Sequence, residues 1–476
     1  MGRKHSAAMS GLLSWLFGPW KSRRAAEPAV AVPIPAPRAR VSDDAVIGHA
    51  AVRRVAPGVA FTPTQPKSGR RRVIGREAEL RRILQALQDD RAHVVLYSER
   101  GRGKTSLSNM VAEALRRTDT VVARHTCEAS TTFDSLMRGL MQDLPASLLA
   151  SREGPSTEGC EAALPPGLLR PRDILGLPQR LACRNVVFLV DEFDRVQDHA
   201  TRTWLADTIK QISDRGVPLL FLIVGVSENL DQILGQHPSI QRNVLGIHLP
   251  LFTDLDVAQL IAQGGRETGL TFLPPTVARI TVLARGMPYM AQLLGLRLAQ
   301  AATARNSTRV LEEDFAVAIN RLLDDAASSV VALYARLTAH GQDIEMVQAL
   351  RRIATAPQDP WGRLLVTSAA PNMLVGGRPL SAKCWERLQA AGVLQSALPD
   401  ADLFHFAERG LMHHALLLAA RDAVASDLPE APAPDEPALT PNAGVTRTDA
   451  PTPPLAGRTP LIPRQHRTRH PSMSSG

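Results

Sequence analysis

The chain has 476 residues, 44% of them hydrophobic and 21% charged, with a formal net charge of +9. Such a length holds about two to four domains of roughly 100–200 residues, and no run approaches the ~20 consecutive apolar residues of a membrane-spanning helix, so a helical membrane protein is not expected. Aromatic residues, at 4%, are too few for the base-stacking surfaces of single-strand nucleic-acid binders.

The positive charge is concentrated at the start of the chain. Residues 1–72 carry 13 Lys/Arg against Glu27, Asp43 and Asp44, whereas residues 427–476 balance five Arg with five acids. The body between the tails is therefore close to neutral, and any attraction to DNA or acidic lipid would come mainly from the first 72 residues. Both ends, 1–72 and 426–476, read as disordered tails: they are rich in Pro, Ala and Arg and lack helical or strand period. Within the first lies Ser10–Trp20, a short apolar run flanked by Arg3-Lys4 and Lys21 to Arg24. It is too short to cross a bilayer; residues 10–24 read either as a peripheral membrane contact, with Trp15, Phe17 and Trp20 at headgroup depth, or as a peptide that docks on protein. The four cysteines (Cys127, Cys160, Cys183 and Cys384) form no C-x-x-C pair and fit a cytoplasmic protein.

From Val73 strand and helix signals alternate. Helix is expected over 76–88, strand over 93–97, helix from Gly103 to about Arg116, strand over 120–126 and helix near 131–144. A Gly/Pro-rich stretch, 151–172, reads as a surface loop. Then come a helix near 172–182, a strand over 185–190, a helix near 200–214, and strands over 218–224 and 246–249. Short apolar strands separated by helices predict an α/β domain over 73–252 with a parallel sheet covered on both faces. Four amphipathic helices, 254–268, 274–284, 288–304 and 312–325, predict a helical lid over 253–326.

Two motifs carry chemistry. The first strand runs into Ser98-Glu99-Arg100-Gly101-Arg102-Gly103-Lys104-Thr105-Ser106 and then into a helix. This is a phosphate-binding loop in its proper setting: Gly101 and Gly103 let backbone N–H groups turn toward phosphate oxygens, and the helix N-terminus adds partial positive charge. Lys104, one of six lysines in the chain, is placed to reach the β/γ-phosphates, and the Thr105 hydroxyl to ligate Mg²⁺. Ser98 stands where the full motif has Gly, which requires a negative φ there. The second motif is the apolar strand Val186–Val190, ending in Asp191-Glu192. Asp191 is placed to hold Mg²⁺ through water, and Glu192 to polarise the attacking water. Asp194 and Arg195, which follow, read as surface or interdomain residues.

With both motifs placed, residues 73 to about 325 resemble the AAA+ ATPases of the origin-recognition/initiator branch and the related signal-transduction (STAND) ATPases. Val73-Ile74-Gly75-Arg76-Glu77-Ala78-Glu79-Leu80 is similar to the G-R-E-x-E-L segment that leads into such domains. The resemblance implies an ATP-binding, Mg²⁺-dependent ATPase working as a conformational switch, with protein partners or further copies of itself. It also implies that Ile74 and Gly75 touch the adenine, that Ser227 at the tip of the fourth strand (Asn229 second) senses the γ-phosphate, and that Arg242 acts as an arginine finger on a neighbour's nucleotide. A capping or salt-bridging Arg242 is the alternative. No arginine stands at the second-sensor place of initiators; the helix there opens Gly286-Met287-Pro288-Tyr289, resembling the STAND pattern in which the proline packs at the nucleotide. Pro at a first helical turn is also ordinary helix chemistry. In both families a winged-helix domain often follows, here 327–425, with Ser381–Ala391 as helix and a strand pair near 392–406. That helix offers DNA only Lys383 and Arg387, with Glu386 between them, so packing on protein is at least as good a reading. His413-His414 have no further metal ligands in sequence reach.

Overall fold

The computed structural model describes residues 54–63, 74–118, 120–148, 159–181, 185–227, 242–369, 372–397 and 402–425, with Leu230 and Ile233. The Ser10–Trp20 segment, Cys183, Asn229 and the C-terminal tail lie outside the described residues.

Strands β1 (His93–Ser98), β2 (Thr120–Thr126), β3 (Asn185–Asp191), β4 (Leu219–Val226) and β5 (Val244–His248) form one sheet in the order β2-β3-β4-β1-β5, every pairing parallel. The period-two pattern of the strands divides their side chains between two cores. Val94, Leu96, Val187 and Leu189 face helices α1 (Glu77–Gln88) and α2 (Lys104–Arg116) through Ile83, Leu107, Val111 and Leu115. Val95, Phe188, Val190 and Phe221 face α3 (Phe133–Gln142) and α4 (His199–Arg215). Helix starts follow their caps: Thr132 accepts from Ser135 N–H, and Asp198 accepts from the N–H groups of Ala200 and Thr201.

The stretch expected as a surface loop is not one in its described part. Cys160, Ala163, Leu164 and Leu169 are buried in the α3/α4 core, and Arg138 donates to the carbonyls of Pro165 and Gly167 (3.2 and 2.7 Å). The Gly/Pro content masked these apolar anchors, which need no regular element to reach the core. The expected helix near 172–182 is two single turns, Pro171–Ile174 and Leu177–Arg180.

The lid helices α5 (Asp254–Thr268), α6 (Pro274–Ala284), α7 (Pro288–Ala304) and α8 (Glu312–Asp324) start at a Thr253 cap or at a proline in the first turn in three of the four cases. They are followed by α9 (Ser328–Leu337), α10 (Ile344–Thr355), β6 (Leu364–Ala369), β7 (Asn372–Val375), β8 (Arg378–Ser381), α11 (Ala382–Ala390), β9 (Leu394–Ser396), β10 (Leu403–Phe406) and α12 (Arg409–Ala425). The expected strand pair is β9/β10. β6 to β8, which sequence pattern did not disclose, extend it into an antiparallel sheet in the order β8-β7-β6-β10-β9. One continuous core joins the lid residues Ile280, Leu294 and Phe315 to Leu350, Leu411 and Leu416 of the C-terminal region. His413 and His414 are buried; burial pushes His413 down to about 4, and its ring nitrogens stand 3.1 and 3.3 Å from the carbonyls of Arg409 and Ala284.

Residues 54–63, within the stretch expected as tail, pack on the lid. Phe61 fills a hole left by two glycines: a Cβ on Gly264 of α5 would stand 2.1 Å from its ring, and one on Gly295 of α7 would stand 2.5 Å from it. Phe272 meets the ring edge-on at 5.9 Å. This strap carries Thr62, whose N–H donates to Gln292 Oε1 on α7 at 2.9 Å.

Candidate nucleotide site

At the end of β1 the backbone turns through Gly101 (φ +80°) and Gly103 (φ +89°), a left-handed conformation that only glycine takes without strain, and enters α2 at Lys104. Ser98 is the last residue of β1, paired with Val226 in the extended conformation its side chain requires, and its hydroxyl donates to Glu99 O at 3.1 Å. Lys104 is buried; its ammonium donates to the carbonyls of Ser98 and Glu99, both at 2.9 Å. Burial pushes its pKa down to about 8, while the charges of Asp194 and Asp191 pull it upward and those of Arg102 and Arg100 add to the fall.

That value gives a pH dependence. Phosphate favours the ammonium form, so binding takes up a proton wherever the lysine has lost its own. Affinity for a phosphate ligand held by Lys104 is expected to be steady up to about pH 8 and to fall above it by up to about tenfold per pH unit. Calorimetric titrations in buffers of different ionisation enthalpy would show the proton uptake; a flat affinity into the alkaline range would refute this role for Lys104.

Two other charged residues of the loop, Arg102 and Glu99, are engaged by protein groups. Arg102 is fully buried and donates to Leu249 O (2.8 Å) and Trp361 O (2.6 Å), with Glu99 at 3.2 Å. Glu99 is held by Arg409 at the start of α12, through Nε to Oε2 and through Nη2 to Oε1 at 2.7 Å. Arg76, in the lead-in segment, donates to Arg102 O and Pro250 O (3.3 and 2.7 Å) and lies over the Phe252 ring. Gly75 before it has φ +69°, and a Cβ there would meet Asp256 at 2.6 Å, which accounts for glycine in that motif. Arg100, Thr105 and Ser106 line the cavity described below.

Asp191, at the end of β3, is buried and accepts from Glu192 N–H at 3.0 Å and from Arg124 Nη2 at 2.6 Å. Glu192 is left-handed (φ +55°), the kind of backbone strain found at functional positions, and its Oε2 accepts from Arg195 Nη1 at 2.8 Å with both side chains half-exposed. Asp194 ties this turn to the tip of β4 by accepting from Val226 N–H at 2.8 Å. Asp194 and Arg195, expected as surface or interdomain residues, line the cavity.

A cavity of about 780 Å³ is bounded by residues 100–106, by Asp191, Glu192, Asp194 and Arg195, by Gly225 and Val226, and by Thr62, Pro63, Ile74, Phe252, Leu260, Pro288, Tyr289 and Gln292. Its volume falls within the range of nucleotide-sized pockets. One end holds the lysine, the two β3 carboxylates and the Thr105 hydroxyl, while the other is apolar with an amide, so a purine nucleotide and a divalent cation fit the donor set. Pro288 opens α7 against this cavity, and Tyr289 N–H lies 3.4 Å from Gly101 O, which seats the lid on the loop. Ser227 is buried immediately after β4, one residue beyond the lining. Arg242 is exposed in the turn before β5 and does not line its own chain's cavity.

The fold is a parallel-sheet P-loop domain of the AAA+ type, and residues 72–223 match the family model described as AAA ATPase domain. The chain is similar to Cdc6p of Pyrobaculum aerophilum (15% identity, TM-score 0.42, covering 77% of this chain and 98% of that one) and to the Aeropyrum pernix Orc1 protein in complex with DNA (14%, 0.41, 78% and 96%). It is also similar to the Thermotoga maritima RuvB Holliday junction branch migration motor (14%, 0.38, 66% and 95%). Comparison with curated proteins gave no match.

Proposed function

We propose that the chain hydrolyses ATP to ADP and phosphate with Mg²⁺ and uses the cycle as a conformational switch. The observation that carries this reading is that one loop does two jobs. Lys104 and Thr105 face the cavity beside Asp191 and Glu192, while Glu99 and Arg102 of the same loop grip Arg409 and Trp361 of the C-terminal region. In this reading Lys104 binds the β/γ-phosphates, Thr105 and Asp191 hold the metal, Glu192 orients water, Ser227 senses the γ-phosphate and Arg242 acts on a neighbouring copy. Bound Mg²⁺ would neutralise phosphate charge. The free, buried thiols Cys127, Cys160 and Cys384 suit a cytoplasmic setting.

A second reading, a nucleotide-gated scaffold with little turnover, is favoured by the Arg195 hold on Glu192. A DNA-bound regulator is less supported: Arg387, one of the two cations on the candidate recognition helix, is already engaged by Asp343 (2.7 Å) and Leu337 O (3.1 Å). Steady-state hydrolysis of the full chain, wild type against Glu192→Gln, with and without duplex DNA, separates the three. For the enzyme, turnover should fall by about a hundredfold or more in Glu192→Gln with ATP binding retained. Binding without wild-type turnover favours the scaffold, and DNA stimulation the regulator.

A further inference from the structure

Arg124 appears in no motif, yet it is the charged partner of the carboxylate assigned to the metal. In the parallel register Arg124 of β2 stands opposite Leu189 of β3, so Arg124 and Asp191, two residues beyond Leu189, project from the same sheet face, the one covered by α2. There its Nη2 donates to Asp191 Oδ2 at 2.6 Å, and its Nη1 donates to Asn109 Oδ1 on α2. The Asp191 side chain is 4% exposed and that of Arg124 33%. The other carboxylate oxygen, Oδ1, accepts from Glu192 N–H.

We propose that Arg124 is a positioning residue that makes divalent-metal binding at Asp191 conditional on the nucleotide's phosphates; this rests on the ATP-binding reading above. Each oxygen of Asp191 already accepts a hydrogen bond, one of them from a charged donor, so part of its lone-pair capacity is taken before a metal ion arrives. The guanidinium's positive charge offsets that of the carboxylate it contacts. With Lys104 buried close by, a divalent ion arriving alone meets a site with little net attraction. ATP supplies the missing negative charge, and the ion is bound only as part of the nucleotide complex. A merely structural ion pair between β2 and β3 would stabilise the sheet without setting this order.

The test uses Mn²⁺ as the probe, titrated into the full chain and followed by the electron paramagnetic resonance of free Mn²⁺, with and without ADP. Wild type is expected to bind Mn²⁺ appreciably only with nucleotide. Arg124→Met is expected to bind Mn²⁺ without nucleotide, at least about tenfold more tightly than wild type, because a unit positive charge a few ångströms away has gone. Arg124→Lys should behave as wild type, and adding Asp191→Asn to Arg124→Met should abolish the gain. Should the methionine variant fail to fold, Arg124→Gln carries the same expectation. Nucleotide binding by wild type with no gain of Mn²⁺ affinity in either uncharged variant overturns this inference alone. A wild type that binds no nucleotide at all overturns the proposed function and this inference with it.

Discussion

Lys104→Ala is expected to lower ATP affinity by about a hundredfold or more, the scale on which a desolvated ion pair is lost. The ammonium is buried and held by two loop carbonyls, so it has little rotamer freedom to lose on binding a ligand. Arg102 cannot take its place, since it is committed to Leu249 and Trp361. The fold should suffer little, because removing a charge whose pKa burial depresses also removes a desolvation cost. Titration with a fluorescent ATP analogue, alongside a thermal melt, checks both halves: undiminished affinity in a well-folded variant would mean that phosphate binds elsewhere.

The second large effect lies at the joint between loop and C-terminal region. Arg409→Glu places a carboxylate against Glu99, where the structure has a doubly hydrogen-bonded ion pair in a mostly buried setting. A disrupted buried pair costs about 3–5 kcal/mol, and reversal costs more than deletion. The variant is expected to melt at lower temperature and to shift the emission of Trp361, which stacks on His248 at 4.5 Å beside the joint. A double reversal with Glu99→Arg should recover part of the loss. Burial alone would raise the Glu99 carboxyl, but the Arg409 hydrogen bond and charge, with Arg102, hold it below its ordinary range. The joint therefore contributes stability above the ordinary glutamate pKa of about 4.3 and loses it as pH falls through and below that value. An Arg409→Glu protein with wild-type melting and wild-type emission would show that this ion pair does not hold the regions together.

What could be read in advance was what short stretches of sequence encode. The loop from Ser98 to Ser106, the carboxylates at the end of β3 and lid helix starts at Thr253, Pro274 and Pro288 are each specified by neighbours within a few residues, and they stand as expected. Arg124 and Asp191 are 67 positions apart, and Glu99 and Arg409 are 310 apart. Nothing local marks such pairs, because only the sheet register or the docking of α12 brings them together. Arg102 shows the converse: it lies within the phosphate-binding motif, yet it serves as a buried tie between Leu249, just after β5, and Trp361. Phe61 was hidden by its Pro-rich surroundings, since the hole that receives it is made by glycines more than two hundred positions away.

The single core shared by the lid and the C-terminal region has a mechanical consequence. Because Ile280, Leu294, Leu350 and Leu416 belong to one apolar body, the C-terminal region cannot swing free as a pendant without exposing the lid's interior to water, at roughly 25 cal/mol for each Å² uncovered. The described residues are therefore built as two cooperative blocks, the sheet with its covering helices, and α5 to α12 with the strap 54–63. Between them run the chain crossing at residues 249–253 and the side-chain clamps on the phosphate loop. Any leverage generated at the loop is delivered to the second block as a whole, so a substitution deep in α12 and one in α7 should be felt as damage to the same object.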